Sequence, residues 1–194
     1  NKIAYSQGQV NNISGMIGTL NQDSTTYIST GTLNNITNSQ TEEYSHNSKK
    51  ASYEEIRTYV GTTSQITSSG NLIIDATDDI NLIGAALLAN NNTQITAGRD
   101  FNSTTVQDYN RTYSKVKTKD TFSSSTSIKE NTSLKNIKSG VYTGDNITLI
   151  TGNDITGIGT DFRADDGNIN LVAGNDMTLI NAMDFDYDYS YYKK

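Results

Sequence analysis

The sequence repeats itself at a fixed interval. Residues 145–156 read Asp-Asn-Ile-Thr-Leu-Ile-Thr-Gly-Asn-Asp-Ile-Thr, and residues 167–178 read Gly-Asn-Ile-Asn-Leu-Val-Ala-Gly-Asn-Asp-Met-Thr. Ile147 matches Ile169, Leu149 matches Leu171, Gly152 matches Gly174, Asp154 matches Asp176 and Ile155 matches Met177, each pair 22 residues apart. A period of this size marks a solenoid, in which each unit buries its apolar face only against its neighbours. Within a unit the apolar residues alternate, as in Ile169, Leu171 and Ala173, while Asn170 and Thr178 take the other face. That alternation is the strand period. Gly-Asn-Asp then supplies a turn, and a second short strand resumes at Met177 and Leu179. Short strands joined by corners in about 22 residues make one rung of a parallel β-helix, with equivalent strands stacked at ~4.8 Å. A leucine-rich repeat of similar period needs an L-x-x-L-x-L pattern and a helical or extended return, and neither is visible.

Asn, Ser and Thr supply 70 of the 194 residues and hydrophobic residues only 34%. A globule with so few apolar residues is poorly provided with core, but a solenoid has a narrow core and can stack Asn and Thr into hydrogen-bonded ladders. The regular apolar period and a net charge of only −6 argue against disorder. Absence of Pro suits strands paired on both edges, and absence of Cys excludes disulfides and thiolate metal sites. No apolar run approaches the ~20 residues of a membrane-spanning helix. The chain opens in mid-pattern without Met, as an excised piece of a longer protein would. Its mild acidity argues against nucleic acid as a partner.

The larger organisation is also periodic. Residues 1–39 hold a degenerate rung pair, Val10 to Leu20 and then Tyr27 to Ile36, with Ile13-Ser-Gly15 aligning on Leu82-Ile-Gly84. Residues 70–106 and 140–182 hold clear rung pairs. Polar, alternating stretches interrupt them at 40–69 and 107–139, and residues 183–194 begin a third. Tyr44-Ser, Tyr113-Ser and Tyr189-Ser recur in the interruptions, each with lysines nearby, so two rungs and a hairpin form a unit of about 70 residues. The fold expected for residues 1–194 is one all-β array: a parallel β-helix of 21–22-residue rungs with extruded antiparallel hairpins.

Gly-Asn-Ile-Asn-Leu-Val-Ala-Gly-Asn-Asp at 167–176, Ile-Thr-Ala-Gly-Arg-Asp at 95–100 and the polar insertions resemble the haemagglutinin repeats of filamentous haemagglutinin. They resemble more closely the second repeat block of contact-dependent growth inhibition exoproteins. The likeness covers almost the whole chain and is sharp from about residue 64 onward. It implies a right-handed parallel β-helix from a large two-partner-secretion exoprotein. Such a protein is exported through an outer-membrane transporter and is secreted or held at the bacterial cell surface. In the toxin-carrying members this block engages the target cell's outer membrane; no toxin-like segment is apparent here.

Catalytic chemistry is poorly provided for. His46 is the only histidine, and neither a nucleophile nor a metal cluster can be assembled on it. Asp79, Asp100, Asp154 and Asp176 recur in register and could form a carboxylate column such as β-helix lyases use with calcium. The simpler reading is that they cap corners through their own backbone. Gly157-Ile-Gly159 lacks the third glycine of a dinucleotide loop, and the seven N-x-S/T sequons are close to chance in so Asn-, Ser- and Thr-rich a chain. No catalytic, cofactor or metal residue is therefore assigned, and no small-molecule substrate is expected.

Two surface features stand out. Arg111, Tyr113, Lys115, Lys117 and Lys119 alternate onto one strand face, and Phe185, Tyr187, Tyr189 and Tyr191 form an aromatic strip. Edge-protecting lysines and half of a hairpin are the plain alternatives. The candidate contact residues are Tyr44, Lys49, Lys50, Arg111, Tyr113, Lys115, Lys117, Lys119, Tyr187 and Tyr189, facing a cell surface, an outer membrane or a glycan. Residues 40–60 and 107–139 should leave the coil at the same corner and pack side by side along one flank as a second, antiparallel layer, ~10 Å apart, the spacing of sheets packed face to face. Tyr44 and Tyr113 would then stack, with Tyr189 extending the row. Adhesion or toxin-delivery module, β-helix polysaccharide lyase or hydrolase, and passive stalk are the three functional readings. The rung core expected is Leu72, Ile74, Ile80, Leu82, Ile147, Leu149, Ile155, Ile169, Leu171, Met177 and Leu179.

Overall fold

The computed structural model describes every residue except Leu20, so the end of the first expected rung lies outside the described residues. The chain forms two compact units. The first comprises Asn1–Asn38, Gly61–Val106 and Ile137–Ala182, and the second Ser39–Val60, Gln107–Asn136 and Met183–Lys194.

The first unit is a parallel β-helix of three ladders, its strands numbered here in chain order. The first ladder stacks β1 (Lys2–Ile13), β3 (Thr26–Ile36), β7 (Leu72–Ala76), β10 (Thr93–Ala97), β15 (Ile147–Thr151) and β18 (Ile169–Val172). The second continues from the far halves of β1 and β3 through β8 (Ile80–Ile83), β11 (Phe101–Thr104), β16 (Ile155–Ile158) and β19 (Met177–Ile180). The third stacks β2 (Met16–Gly18), β6 (Gln65–Ser68), β9 (Ala86–Ala89), β14 (Ser139–Thr143) and β17 (Thr160–Ala164). Every pairing within the three ladders is parallel.

Alternation turns every second side-chain column of each ladder inward, and the largest apolar residues gather in one central column per ladder. Ile28, Ile74, Ile95 and Leu149 form the first column, and Leu33, Ile80, Phe101 and Ile155 the second; all are fully buried. The third column, Ile66, Leu87 and Val141, lies outside the expected core. Phe162 extends this column, its ring centroid 6.1 Å from that of Phe101.

Most of the expected core is buried, but Ile169, Met177 and Leu179 are 44–48% exposed and Leu171 is only partly buried. They continue the inner columns in register on β15 and β16, but among the described residues no strand stacks on the other side of their rung.

Polar residues tie the rungs together. Asn34 Nδ2 donates to Asn11 Oδ1 at 2.8 Å, Asn81 to Asn34 at 2.9 Å, and Asn102 to Asn81 at 3.2 Å. A second ladder runs from Asn71 through Asn92 and Asn146 to Asn168, where each amide oxygen accepts the backbone N–H of the following rung.

Corners decide where the chain leaves the coil. After the second ladder, rungs one, three and five turn straight into the third through left-handed residues: Ser14 (φ 46°), Gly84 (φ 54°) and Gly159 (φ 59°). Gly84 N–H bonds the carbonyl of Thr104 and Ser14 N–H that of Ile36, so Ser14, not Gly15, is the counterpart of Gly84; the expected alignment was one residue out. In rungs two and four, where Thr37 and Thr105 stand at this position, the chain runs outward instead.

The interruptions are shorter than the sequence suggested. The coil resumes at Gly61 rather than 70, and at Ile137 rather than 140. Ser64 and Ser139 mark each return: both are fully buried, Ser64 Oγ donating to Asn12 O at 2.9 Å and Ser139 Oγ to Thr104 O at 2.6 Å. The first rung likewise begins at Lys2, not Val10, which already lies in the second ladder opposite Leu33.

Candidate functional site

The second unit is a five-stranded sheet in the order β20 (Phe185–Lys193), β13 (Ser124–Ile137), β12 (Val106–Lys119), β5 (Ala51–Val60) and β4 (Ser39–Asn47). The two hairpins do not stack as separate sheets. They join edge to edge, β5 pairing antiparallel with β12 from Thr58↔Tyr109 to Ala51↔Val116, and β13 pairing antiparallel with β20. A hairpin is two strands wide, ~9.6 Å, which equals a two-rung advance, so successive hairpins meet along their backbone hydrogen-bonding edges.

Register sorts the candidates between faces. Directly paired residues of antiparallel strands share a face, and consecutive residues of a strand do not. Tyr44 pairs with Glu55 and Tyr113 with Glu54, so these tyrosines occupy opposite faces on either side of β5. The expected Tyr44–Tyr113 stack is absent. Tyr44 instead meets Tyr53, ring centroids 5.9 Å apart, and the Tyr53 hydroxyl donates to Glu55 at 2.7 Å.

The other candidates on strands share the face of Tyr113. Arg111 spans three strands there, 3.2 Å from Glu54 on β5 and 2.8 Å from Glu130 on β13. Its hydrogen bond to Glu130 raises the guanidinium pKa further, so the charge is permanent but engaged inside the sheet. Tyr189 pairs with Glu130 and Tyr187 with Thr132, and Phe185 stacks on Tyr187, centroids 6.5 Å apart at 7°. This aromatic strip is 42–54% exposed from Phe185 to Tyr191.

Lys49, Lys50, Lys115, Lys117 and Tyr113 line one hollow of about 280 Å³ with Asn47, Ser48, Ala51 and Ser52, and no carboxylate. Lys117 N–H donates to Lys50 O at 2.8 Å, which ties the two hairpin ends together. Among the described residues none of these lysines forms an ion pair. Lys119 lies outside the hollow, exposed at the end of β12. Sequence alternation had already grouped Lys115 and Lys117; it could not show that Lys49 and Lys50 face the same space.

The carboxylate column of the coil works differently. Asp79 accepts from Arg99 Nε at 3.1 Å and from the backbone N–H of Asp100 at 3.3 Å. Asp100 accepts the N–H of Asp154 at 3.1 Å, and Asp154 that of Asp176 at 3.0 Å. Each carboxylate thus caps the corner of the next rung rather than its own. The hydrogen bond from Arg99 holds the Asp79 carboxyl below its usual range.

The hemagglutinin repeat model matches residues 43–123 and 120–190. The chain belongs to the hemagglutinin repeat family. No curated protein and no solved structure matches it. Hemagglutinin repeats are structural, non-enzymatic units typical of secreted and cell-surface proteins. Each matched segment of the hemagglutinin repeat starts inside a hairpin, so its period is the rung pair plus the hairpin, not the single rung.

Proposed function

We propose that this chain is a non-catalytic contact segment of a secreted bacterial exoprotein, an adhesin or a contact-dependent inhibition toxin carrier. It serves adhesion to a cell surface or engagement of a target outer membrane during toxin delivery. The full protein would reach the exterior through an outer-membrane transporter. The observation that carries the reading is the lysine hollow: four lysines line one recess with no carboxylate among its lining residues, in a chain of net charge −6. Like charges held together without internal compensation favour an anionic partner, through an attraction that salt screens. The carboxylate column and Arg111 are bound up in the fold, which leaves the lysines and the aromatic strip as the groups available for contact.

The test is binding of the chain to outer-membrane vesicles. It is compared with a version whose residues 39–60 and 107–136 are replaced by tight corners, and with a variant carrying Lys49→Glu, Lys50→Glu, Lys115→Glu and Lys117→Glu. Binding that is lost in both and weakened by salt supports a contact module. Equal binding by all three leaves a passive stalk.

A further inference from the structure

Phe122 is 99% exposed, unlike Phe101 and Phe162, which the coil buries wholly or in part. It sits in the turn between β12 and β13, closed by the N–H of Asp120 donating to Ser123 O at 2.8 Å. The pairing register brings several chain segments to this end of the sheet. Ala51, next to Lys49 and Lys50 in the first hairpin's turn, pairs with Val116, and Lys193 pairs with Thr126. Phe122 therefore projects from an end of the sheet populated by Lys49, Lys50, Lys117, Lys119 and Lys193. Asp120 is the one carboxylate in the stretches 47–52, 115–126 and 190–194. The lysines stand in uncompensated excess beside a phenylalanine held in water.

We propose that this end of the hairpin sheet docks on an anionic lipid bilayer, with Phe122 entering the interface and the lysines lying over lipid phosphates. The chemistry favours a bilayer over a soluble anion. A fully exposed phenyl ring gains nothing from a free phosphate or sulfate, whereas at a membrane surface the apolar ring and the cations each find a partner at the depth they prefer. A turn closed by its own backbone presents the ring without disturbing the sheet. This inference rests on the reading of the sheet as the contact surface, and names what that surface meets and which residue leads.

The sequence contains no tryptophan, so Phe122→Trp installs a single reporter. The full chain carrying it is mixed with phosphatidylcholine vesicles with and without phosphatidylglycerol. The expected result is a blue shift of emission, and quenching by brominated lipid, only with the anionic vesicles, both reversed by raised salt. Phe122→Ser should weaken cosedimentation with those vesicles about tenfold, and Lys117→Glu with Lys119→Glu should do the same. Lys129→Glu, on the opposite face, should not. Cosedimentation with an unshifted reporter, or unchanged binding by Phe122→Ser, overturns tip insertion while leaving outer-membrane-vesicle binding by the hairpins intact. Equal insertion into neutral vesicles overturns the role of the lysines.

Discussion

Thr93 shows how single residues in a stacked column can be improved. Its side chain points inward between Leu72 and Ile147, it is 1% exposed, and its hydroxyl finds no hydrogen-bond partner. In the same column Thr26 is satisfied, donating to Thr67 O at 2.8 Å. A buried hydroxyl without a partner retains its desolvation cost, and Val keeps the shape without it. Thr93→Val should therefore stabilise the chain, by about 1 kcal/mol, measured as a rise in the urea midpoint at unchanged slope. Thr26→Val should have the opposite sign.

At the scale of elements, the hairpin sheet depends on Arg111. No other side chain forms ion pairs with two different strands of that sheet among the described residues, and its loss would leave Glu54 and Glu130 facing the same space without their cation. The pair partners are partly exposed, so solvent screens much of the attraction. Arg111→Ala should cost about 1 kcal/mol, and it should speed amide exchange along β5, β12 and β13 more than along the coil strands. Uniform change across both units would show that Arg111 does not act locally.

For the whole molecule, the stacked ladders make stability depend on position along the coil. Each rung contacts only its neighbours, so a residue with a rung on both sides loses more when altered than one on the last rung. Ile95 is fully buried between Ile74 and Leu149, whereas among the described residues Leu171 has a strand partner on one side only. Ile95→Asp should unfold the chain or cost more than about 4 kcal/mol, while Leu171→Asp should cost about 2 kcal/mol or less. Thermal denaturation of the two variants gives the comparison; equal losses would mean that the rungs melt as one block. The same economy explains the composition. A few narrow inner columns suffice for a core, and Asn ladders such as Asn11–Asn34–Asn81–Asn102 give polar residues a structural role that a globule would reserve for few.

The rung, its period and the inner columns of the first two ladders were legible in the residues, because stacking forces equivalent positions to repeat at a short, constant spacing. So were the existence and phase of the hairpins, whose polarity breaks that repeat. What the order of residues left open lies in long-range pairing. β9 stacks on β14 across the whole second hairpin, and Ser64 and Ser139 are recognisable as return corners only once that pairing is seen. The faces of Tyr44 and Tyr113 turn on registers set independently by β4 and β12 against β5, where a slip of one residue inverts every side chain. Arg111 reads as a free cation in its own strand and becomes an internal brace only when β5 and β13 bring their glutamates to it. Periodicity records what each segment repeats; strand register, settled by backbone pairing between distant segments, decides what each side chain meets.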